Sequence, residues 1–272
     1  METFIAFFDV LGFKEFIYNN EFKEVKRLFG HLLRDTQTAV AGEKYIQVNP
    51  GVIVPDLAKQ KVNCLHISDS IVFWTNSNSE ADFTELVEVC YSFYWRSLQT
   101  SFPVRGCLTY GEIDFNPYTI KSESGTTFYN YSLIGKGLVD SYLKAESIEY
   151  AGCYIDKSAI DKVEDALINK LIYAQKLCYY KVPFKTGNSY EHVFRPVHGD
   201  HNDVSFRNSA KGIKRLFTSH TKATTLTDSV LRKMNNTIDF LSFFRETDRN
   251  LKDPNEKQQP PTGSFASAGG DE

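Results

Sequence analysis

Two short apolar segments of this chain each contain one aspartate, and they constrain the fold more than any other feature. In FIAFFDVLGF, Asp9 directly follows an apolar run that is typical of a buried strand. In CLHISDSIVFW, Asp69 lies at a polar turn between two runs that favour β-strands. An ionised carboxylate in such surroundings costs several kcal/mol unless a cation or hydrogen bonds compensate it. Taken singly, Asp69 could be a turn residue and Asp9 could cap the helix that follows.

Taken together, the two aspartates indicate a metal site. A β-α-β-β order with the first strand beside the hairpin would put them on adjacent strands, ~5 Å apart in backbone spacing. Two carboxylates so close repel each other, and a shared divalent cation relieves the repulsion. Oxygen-only ligands favour Mg²⁺ or Mn²⁺, and such a site can hold two ions ~4 Å apart. The pair therefore predicts a site for two divalent ions.

Gly12 indicates a phosphate-binding turn after the first strand. The chain must turn quickly from Asp9 into a helix, and glycine lets backbone amides approach a phosphate closely. We expect the amides of Leu11, Gly12 and Phe13 to face a triphosphate, with Lys14 nearby. A simple strand-to-helix turn is the alternative for Gly12.

The remaining pattern predicts an α+β fold. It indicates a strand at 3–9, a helix at 13–41, a loop at 49–59, a hairpin at 61–76, a helix capped by Ser79, a strand at 103–115, a helix at 134–147 and a strand at 152–156. The first six elements match the ferredoxin-like βαββαβ order. Further on, we expect a helix near 157–174, strands near 177–184 and 190–197, and a closing helix near 225–247. The segment His198–His201 could bind a metal, but nothing nearby completes the ligands, so we expect a polar loop there.

Charge and hydropathy restrict the partners and the compartment. There are 31 Lys and Arg against 34 Asp and Glu, for a formal net charge of −3, so no global positive field favours nucleic acid or anionic lipid. No apolar run approaches the ~20 residues that cross a bilayer. Glu2 stands where a secretory signal carries a basic residue. We expect a cytoplasmic protein with no nucleic-acid partner and no membrane partner.

Four motifs resemble the class III nucleotidyl cyclase domain in order and approximate spacing. They are FFDVLGFKEF, ISDSIVFW, VRGCLTYGE and IGKGLVDSYLKAES, and the resemblance covers roughly residues 3–156. Within that superfamily the chain is most similar to the pyrimidine cyclases of Pycsar antiphage systems, which share the F-x-D-[IV]-L-G-F-K start and the adjacent Arg-Gly. The resemblance implies a ferredoxin-like cyclase catalytic domain over 1–160. We expect an α/β extension packed on it over 161–250. Residues 251–272 are rich in Pro, Gly, Ser and Gln and almost free of apolar residues, which predicts a disordered tail.

The resemblance also implies roles for single residues. Asp9 and Asp69 would be the catalytic metal ligands, the Val10 carbonyl an additional one, and Leu11–Lys14 the phosphate-binding turn. In adenylate and guanylate cyclases a base-selecting lysine lies four residues before the second metal aspartate, and Leu65 occupies that position here.

Four further positions depart from the purine enzymes or have a role that stays open. Those enzymes place Asn and Arg four apart on the late helix, where this chain has Asp140 and Lys144. Lys144 could still neutralise charge, but its ammonium is a point charge and lacks the two-pronged hydrogen bonding of an arginine guanidinium. Phe7 shares a strand face with Asp9 and resembles the aromatic that narrows the pyrimidine base pocket, although an ordinary core role is equally compatible. Arg105 could contact the base or phosphates, or pair with Glu112.

The implied reaction is intramolecular: the ribose 3′-hydroxyl attacks the α-phosphate and pyrophosphate leaves. The expected substrate is UTP, or else CTP, and the product would be cyclic UMP or cyclic CMP, read by a separate cyclic-nucleotide-responsive effector in antiphage defence. The resemblance implies a head-to-tail homodimer with active sites between the subunits. Two alternatives stay open: a catalytically degenerate nucleotide-binding module, and a purine cyclase with an unusual base pocket.

Overall fold

The structure is a computed structural model that describes residues 1–100, 102–199, 201–219 and 226–251. Its strands are β1 (Glu2–Val10), β2 (Tyr45–Asn49), β3 (Val52–Pro55), β4 (Asn63–Ile67), β5 (Ser70–Trp74), β6 (Val104–Glu112), β7 (Asp114–Lys121), β8 (Thr127–Ile134), β9 (Cys153–Ile155), β10 (Leu177–Phe184) and β11 (Gly187–Phe194). Its helices are α1 (Phe13–Asn19), α2 (Phe22–Val40), α3 (Glu80–Thr100), α4 (Lys136–Ser147), α5 (Lys157–Ile160), α6 (Asp165–Tyr173), α7 (Asp203–Ser219) and α8 (Asp228–Leu251). The predicted disordered tail lies outside the described residues, apart from Leu251, which ends α8.

A seven-stranded mixed sheet organises the chain, with the strand order β10-β11-β9-β6-β1-β5-β4. The pair β6 and β9 is parallel, and the other pairs with a stated direction are antiparallel. The four strands β6-β1-β5-β4, with α1 and α2 after β1 and α3 after β5, have the ferredoxin-like connectivity. The predicted α+β class is confirmed.

Alternating side chains of β1 divide the core into two layers, as a strand period of two requires. Phe4 and Phe8 point to one face, where their rings meet Phe83 and Phe93 of α3 at centroid distances of 5.0 Å each. Ile5, Phe7 and Asp9 point to the other face, which α4 covers. Asp9 and α4 therefore lie on the same side of the sheet.

Two glycines let α4 approach the sheet closely. A Cβ on Gly137 would lie 2.5 Å from Ile5 Cδ1 and 2.9 Å from the Gly111 carbonyl carbon. A Cβ on Gly111 would lie 2.8 Å from the Gly137 Cα. Larger residues at these positions would push α4 away from β6. This close contact fixes the helix that carries Asp140 and Lys144.

The single helix predicted over 13–41 is wrong: the structure has two helices, α1 and α2. Asn20 is extended, with φ −123° and ψ 149°, and it interrupts the helical hydrogen bonding. Its side-chain amide donates to the Phe16 carbonyl at 2.8 Å. Asparagine competes for backbone groups in this way, and the apolar periodicity could not report the break. The helix predicted over 157–174 is likewise divided, into α5 and α6.

The loop predicted over 49–59 is wrong in part, because β2 and β3 form a hairpin there. Gly51 (φ 79°) makes the turn of this hairpin. The β-branched residues Val52, Ile53 and Val54 favour a strand, but the loop was predicted from the prolines on either side of them. The strand predicted over 103–115 ends at Glu112, where β6 gives way to β7, whose hairpin with β8 was not predicted. Helix α7 was not predicted either.

The later elements extend the same sheet. The strands predicted near 177–184 and 190–197 correspond to β10 and β11, and β11 pairs with β9. The closing helix corresponds to α8, where Thr237 Oγ1 accepts the Ala151 N–H at 2.8 Å. The division of the chain near residue 160 stays a prediction. Within the described residues, no helix is both long enough and apolar enough to span a membrane.

Candidate active site

The structure brings the two aspartates of the apolar segments together. Strands β1 and β5 pair antiparallel with Asp9 opposite Ser70, the residue after Asp69. The Val10 N–H donates to the Asp69 carbonyl at 3.1 Å. The negative charge of Asp69 is also one of the influences on the pKa of Asp9. Both carboxylates therefore lie at the end of β1.

The hairpin turn that carries Asp69 has a specific geometry. Ile67 pairs with Ser70, so Ser68 and Asp69 form a two-residue loop between β4 and β5. Ser68 has a φ of 57°, the left-handed conformation that such tight hairpin turns require. The His66 ring nitrogen lies 3.1 Å from the Ser68 carbonyl oxygen. Burial lowers the pKa of His66, which favours a neutral ring beside this turn.

Arg105 pairs with Asp9 across the neighbouring strands β1 and β6. Its Nε and Nη2 lie 2.9 and 2.8 Å from Asp9 Oδ2, and both side chains are mostly buried. Burial raises the pKa of Asp9, Arg105 works in the opposite direction, and the charges of Asp69 and Glu146 raise it further. The suggested pairing of Arg105 with Glu112 is wrong, because Glu112 lies opposite Glu2 at the other end of β6.

The turn after Asp9 offers fewer amides than expected. The Leu11 N–H donates to the Pro103 carbonyl at 2.9 Å, so the expectation that it faces a phosphate is wrong for this structure. Gly12 is left-handed, with φ 77° and ψ 16°, and is the N-cap residue that precedes α1. In the described part of the chain the N–H groups of Gly12 and Phe13 make no hydrogen bond, as the first amides of a helix do. Lys14 is exposed beside them.

An apolar pocket of about 400 Å³ adjoins the aspartates. Phe7, Val72 and Leu65 form one cross-strand row in its wall, and Ser70, opposite Asp9, also lines it. The Phe7 ring meets the Tyr142 ring edge to face, with centroids 5.4 Å apart. The structure thus brings the predicted residues Phe7 and Leu65 into one cavity.

The sequence did not single out Leu138 and Tyr142, which line the same pocket from α4. They are four residues apart and so share a helix face. The sequence shows this spacing, but a pair of apolar residues four apart also occurs on any helix that packs against a core. Only the position of α4 over the sheet identifies the pair as lining a pocket.

Asp140 and Lys144 are not brought to the aspartate pair. Lys144 Nζ lies 2.8 Å from Asp156 Oδ1, and Asp140 is exposed on α4. Burial opposes ionisation of Asp156, but hydrogen bonds from Lys144 and Ser158 lower its pKa below the ordinary value. No motif marked Asp156, which follows the short strand β9. Lys144 therefore has an acidic partner within the chain.

The donor atoms at the end of β1 suit a hard divalent cation. The Asp9 and Asp69 carboxylates and the Val10 carbonyl offer only oxygen, the ligand that Mg²⁺ and Mn²⁺ prefer. The raised pKa of Asp9 indicates that Arg105 does not fully compensate the buried charge. Among the described residues, no three His, Cys, Asp or Glu side chains are grouped to hold a metal by themselves. Other oxygen ligands would therefore have to complete the shell.

Comparison with known proteins finds similarity among solved structures alone. No protein-family model and no curated protein matches the chain. The guanylate cyclase domain of RhGC from Catenaria anguillulae, in complex with GTP, superposes with a TM-score of 0.46 at 11% identity, covering 71% of this chain and 95% of that one. An adenylate cyclase from Trypanosoma brucei gives 0.44 at 9% identity, covering 73% and 91%. A class III adenylyl cyclase-like ATP-binding protein from Pseudomonas aeruginosa gives 0.39 at 11% identity, covering 63% and 36%.

Proposed function

We propose that this protein is a metal-dependent nucleotidyl cyclase that converts UTP, or else CTP, into the 3′,5′-cyclic monophosphate and pyrophosphate. The observation that carries the proposal is the meeting of Asp9 and Asp69 beside a glycine turn and an apolar pocket. These three features offer oxygen ligands for cations, amides for phosphate and a cavity for a base. A nucleoside triphosphate has phosphates that bind cations and amides, and a base that could enter the cavity.

Asp9, Asp69 and the Val10 carbonyl are the residues that would hold two divalent ions, Mn²⁺ or Mg²⁺. When bound there, the ions would favour ionisation of the ribose 3′-hydroxyl and neutralise charge on the phosphates. Arg105 holds the Asp9 carboxylate in place through Oδ2. The amides of Gly12 and Phe13 and the Lys14 ammonium would bind phosphate oxygens.

The proposed reaction needs no nucleophilic side chain. The 3′-oxygen forms a bond to the α-phosphorus, the hydroxyl proton goes to solvent, and the α–β bridging bond breaks. The leaving pyrophosphate takes the electron pair of that bond. The work of this chain's residues is to orient the nucleotide and to compensate charge, which are large contributions for phosphoryl chemistry.

The apolar pocket supports a pyrimidine substrate over a purine. Phe7 and Tyr142 meet edge to face and narrow it, and Leu65 offers no hydrogen-bonding group to a purine edge. The rank of UTP over CTP rests on the resemblance alone. So do the cytoplasmic antiphage role and the separate effector that would respond to the cyclic nucleotide.

A homodimer with active sites between the subunits is part of the proposal. The β7–β8 hairpin exposes large apolar side chains, among them Ile120 (58%), Phe128 (58%) and Tyr129 (64%). Val139 and Leu143 on α4 are also exposed. Apolar surface of this kind is typical of a covered interface. A partner subunit on it would adjoin the pocket, since Tyr131 and Val139 line both.

One observation favours a second function, a nucleotide-binding module without turnover. Lys144 is held by Asp156, and Asp140 is exposed on α4 and is not brought to the aspartate pair, so neither residue is positioned for phosphate chemistry. A purine cyclase with an unusual pocket is the other alternative, and the same experiment separates all three.

The test is to incubate the full chain with Mn²⁺, or with Mg²⁺, and each of ATP, GTP, CTP and UTP. Pyrophosphate and cyclic nucleotide are then quantified. Formation of cyclic UMP or cyclic CMP supports the proposal. A preference for ATP or GTP would assign a purine cyclase, and metal-dependent nucleotide binding without pyrophosphate would assign the silent module. The Asp69→Asn variant, assayed in parallel, excludes a contaminating activity.

A further inference from the structure

A second cleft lies at the end of α2, with a volume of about 350 Å³. Its floor is apolar and buried, formed by Ala39, Val62 and Val89. The C-terminal end of α2, the helix α3 and the base of the β2–β3 hairpin enclose it. Neither Asp9 nor Asp69 lines it, nor does any residue of the turn after β1. Its size is within the range of small-molecule sites.

An aromatic wall borders this cleft on the α3 side. Trp95 and His198 stack with ring centroids 5.8 Å apart and an interplanar angle of 26°. The Tyr91 hydroxyl donates to the Val197 carbonyl at 3.1 Å, which holds the loop of His198 against α3. Asp200, in the motif His198–His201, lies outside the described residues. His198, the first histidine of that motif, thus contributes its ring to the cleft.

The acidic side chains of the cleft are already compensated. Each of the three glutamates that line it has a cationic partner; the pairs are Glu43 with Arg96, Glu85 with Lys61, and Glu88 with Lys176. Lys176 additionally lies over the Tyr91 ring, with its ammonium 4.4 Å from the centroid.

Two further lysines at the mouth have no such partner. Lys44 and Lys59 line the cleft, are exposed, and form no ion pair within the described residues. The Asp56 N–H donates to the Lys44 carbonyl at 2.8 Å, which joins the two ends of the β2–β3 hairpin. The cleft therefore has two positive charges left for a ligand.

Two helix ends border the cleft. In the described part of the chain three non-glycine residues have a positive φ: Glu43 (59°), Ser68 (57°) and Gln175 (58°). Ser68 precedes Asp69 in the candidate active site, Glu43 lines the second cleft, and Gln175 precedes its lining residue Lys176. Glu43 and Gln175 lie just after the ends of α2 and α6, where the N–H groups of Glu43 and Lys176 donate to the Thr38 and Leu171 carbonyls, as is common where a helix ends.

We propose that this cleft is a second binding site, separate from the aspartate pair, for a nucleoside monophosphate. Lys44 and Lys59 would bind the phosphate, and the ring would lie on the apolar floor against the aromatic wall. Aromatic side chains can stack on any nucleobase, because stacking does not depend on the hydrogen-bonding groups of the base. The site needs no divalent cation, because its charges already oppose those of the ligand.

The test is isothermal titration of the full chain with AMP and with UMP in the presence of EDTA, with adenosine and inorganic phosphate as separate arms. The variant Lys44→Ala/Lys59→Ala removes both unpaired cations. The control Lys170→Ala/Lys181→Ala changes the net charge equally at exposed positions outside the cleft. Thermal melting checks that both variants fold. Quenching of tryptophan emission by AMP, lost in Trp95→Phe, is a second measurement.

We expect AMP or UMP to bind the unaltered chain and the control alike. The cleft variant should bind at least about tenfold more weakly, which is about 1.4 kcal/mol. Adenosine and phosphate alone should each bind more weakly than the monophosphate. Absence of binding at millimolar ligand, or equal affinity in cleft variant and control, would overturn the proposal. Equal affinity for phosphate alone would overturn the assigned ligand class, and weakening by Asp69→Asn instead would assign the binding to the aspartate site.

Discussion

Asp9 and Arg105 face each other across β1 and β6, and the guanidinium donates from Nε and Nη2 to one carboxylate oxygen, Oδ2. Its remaining nitrogen, Nη1, donates to the Glu146 carbonyl near the end of α4 at 3.0 Å. Asp9 Oδ1 makes no hydrogen bond in the described part of the chain. Arg105 thus ties a candidate metal ligand to α4 and leaves one oxygen for a cation.

Removal of this guanidinium should destabilise the protein, because Asp9 would keep a partly buried charge without a partner. We expect Arg105→Ala to lower the free energy of unfolding by about 3 kcal/mol, measured by urea denaturation. Arg27→Ala, which breaks the exposed pair with Glu24, should cost less than about 1 kcal/mol. Mn²⁺ should raise the melting temperature of Arg105→Ala more than that of the unaltered protein. An equal rise would contradict the metal assignment of Asp9.

Asp69→Asn should abolish activity and preserve the fold. The substitution keeps the size of the side chain and removes the charge that repels Asp9, so the melting temperature should stay level or rise. Loss of a metal ligand should reduce pyrophosphate release by about 100-fold or more. Even mutation of a residue that only hydrogen-bonds to a metal ligand typically lowers metal affinity or activity by about 10- to 100-fold. Asp82→Asn, on α3, is the matched control. Unchanged turnover in Asp69→Asn would remove the aspartate pair from the mechanism.

The sequence was sufficient to predict the aspartate pair, because two physical signals coincide there. An acid inside an apolar run is costly, and a βαββ order brings β1 beside the hairpin. The strand period of two placed Phe7 on the Asp9 side of β1 before the sheet was known, whereas Leu65 was singled out by the family resemblance alone. These are local and topological facts that a linear pattern contains.

What the sequence could not predict depends on contacts between distant residues. The pairing of Arg105 with Asp9, and not Glu112, requires the register of β6 on β1. Lys144 looked available for catalysis because Asp156 is twelve residues further on, after a turn and a short strand. The Leu11 amide looked available because its acceptor, the Pro103 carbonyl, belongs to another predicted strand. Each miss is a tertiary contact.

Asp156 should make stability depend on pH in the acid range. Its pKa is lowered in the folded protein by hydrogen bonds from Lys144 and Ser158, so the unfolded chain takes up its proton at a higher pH. The stabilisation is therefore present above the unfolded pKa and is lost as the pH falls through the folded one. Asp156→Asn should flatten the decline of unfolding free energy below about pH 4, measured by denaturation from pH 7 to pH 3. The same decline in Asp156→Asn as in the unaltered chain would contradict this.

Phe7 should control the base that the apolar pocket accepts. Phe7→Leu shortens the side chain that meets Tyr142 and enlarges the pocket. We expect kcat/KM for ATP relative to UTP to rise about tenfold, within the range that pocket changes of this size produce. Phe4→Leu removes the same atoms on the opposite face of β1, where the ring meets Phe83, and should leave the ratio unchanged. A shift of equal size in both variants would mean that stability, not pocket shape, is being measured.

The β7–β8 hairpin should form the subunit interface if the active sites lie between two chains. Phe128 is 58% exposed, and an aspartate there would put a charge into the buried centre of such an interface. We expect Phe128→Asp to weaken dimerisation at least about tenfold by analytical ultracentrifugation, because burying an unpaired charge is unfavourable. Cyclase activity should fall with it and recover at high protein concentration, where mass action restores the dimer. Tyr173→Asp, at a side chain 92% exposed on α6, is the matched control and should change neither quantity. If Phe128→Asp remained fully active at concentrations where it sediments as a monomer, each subunit would contain a complete site.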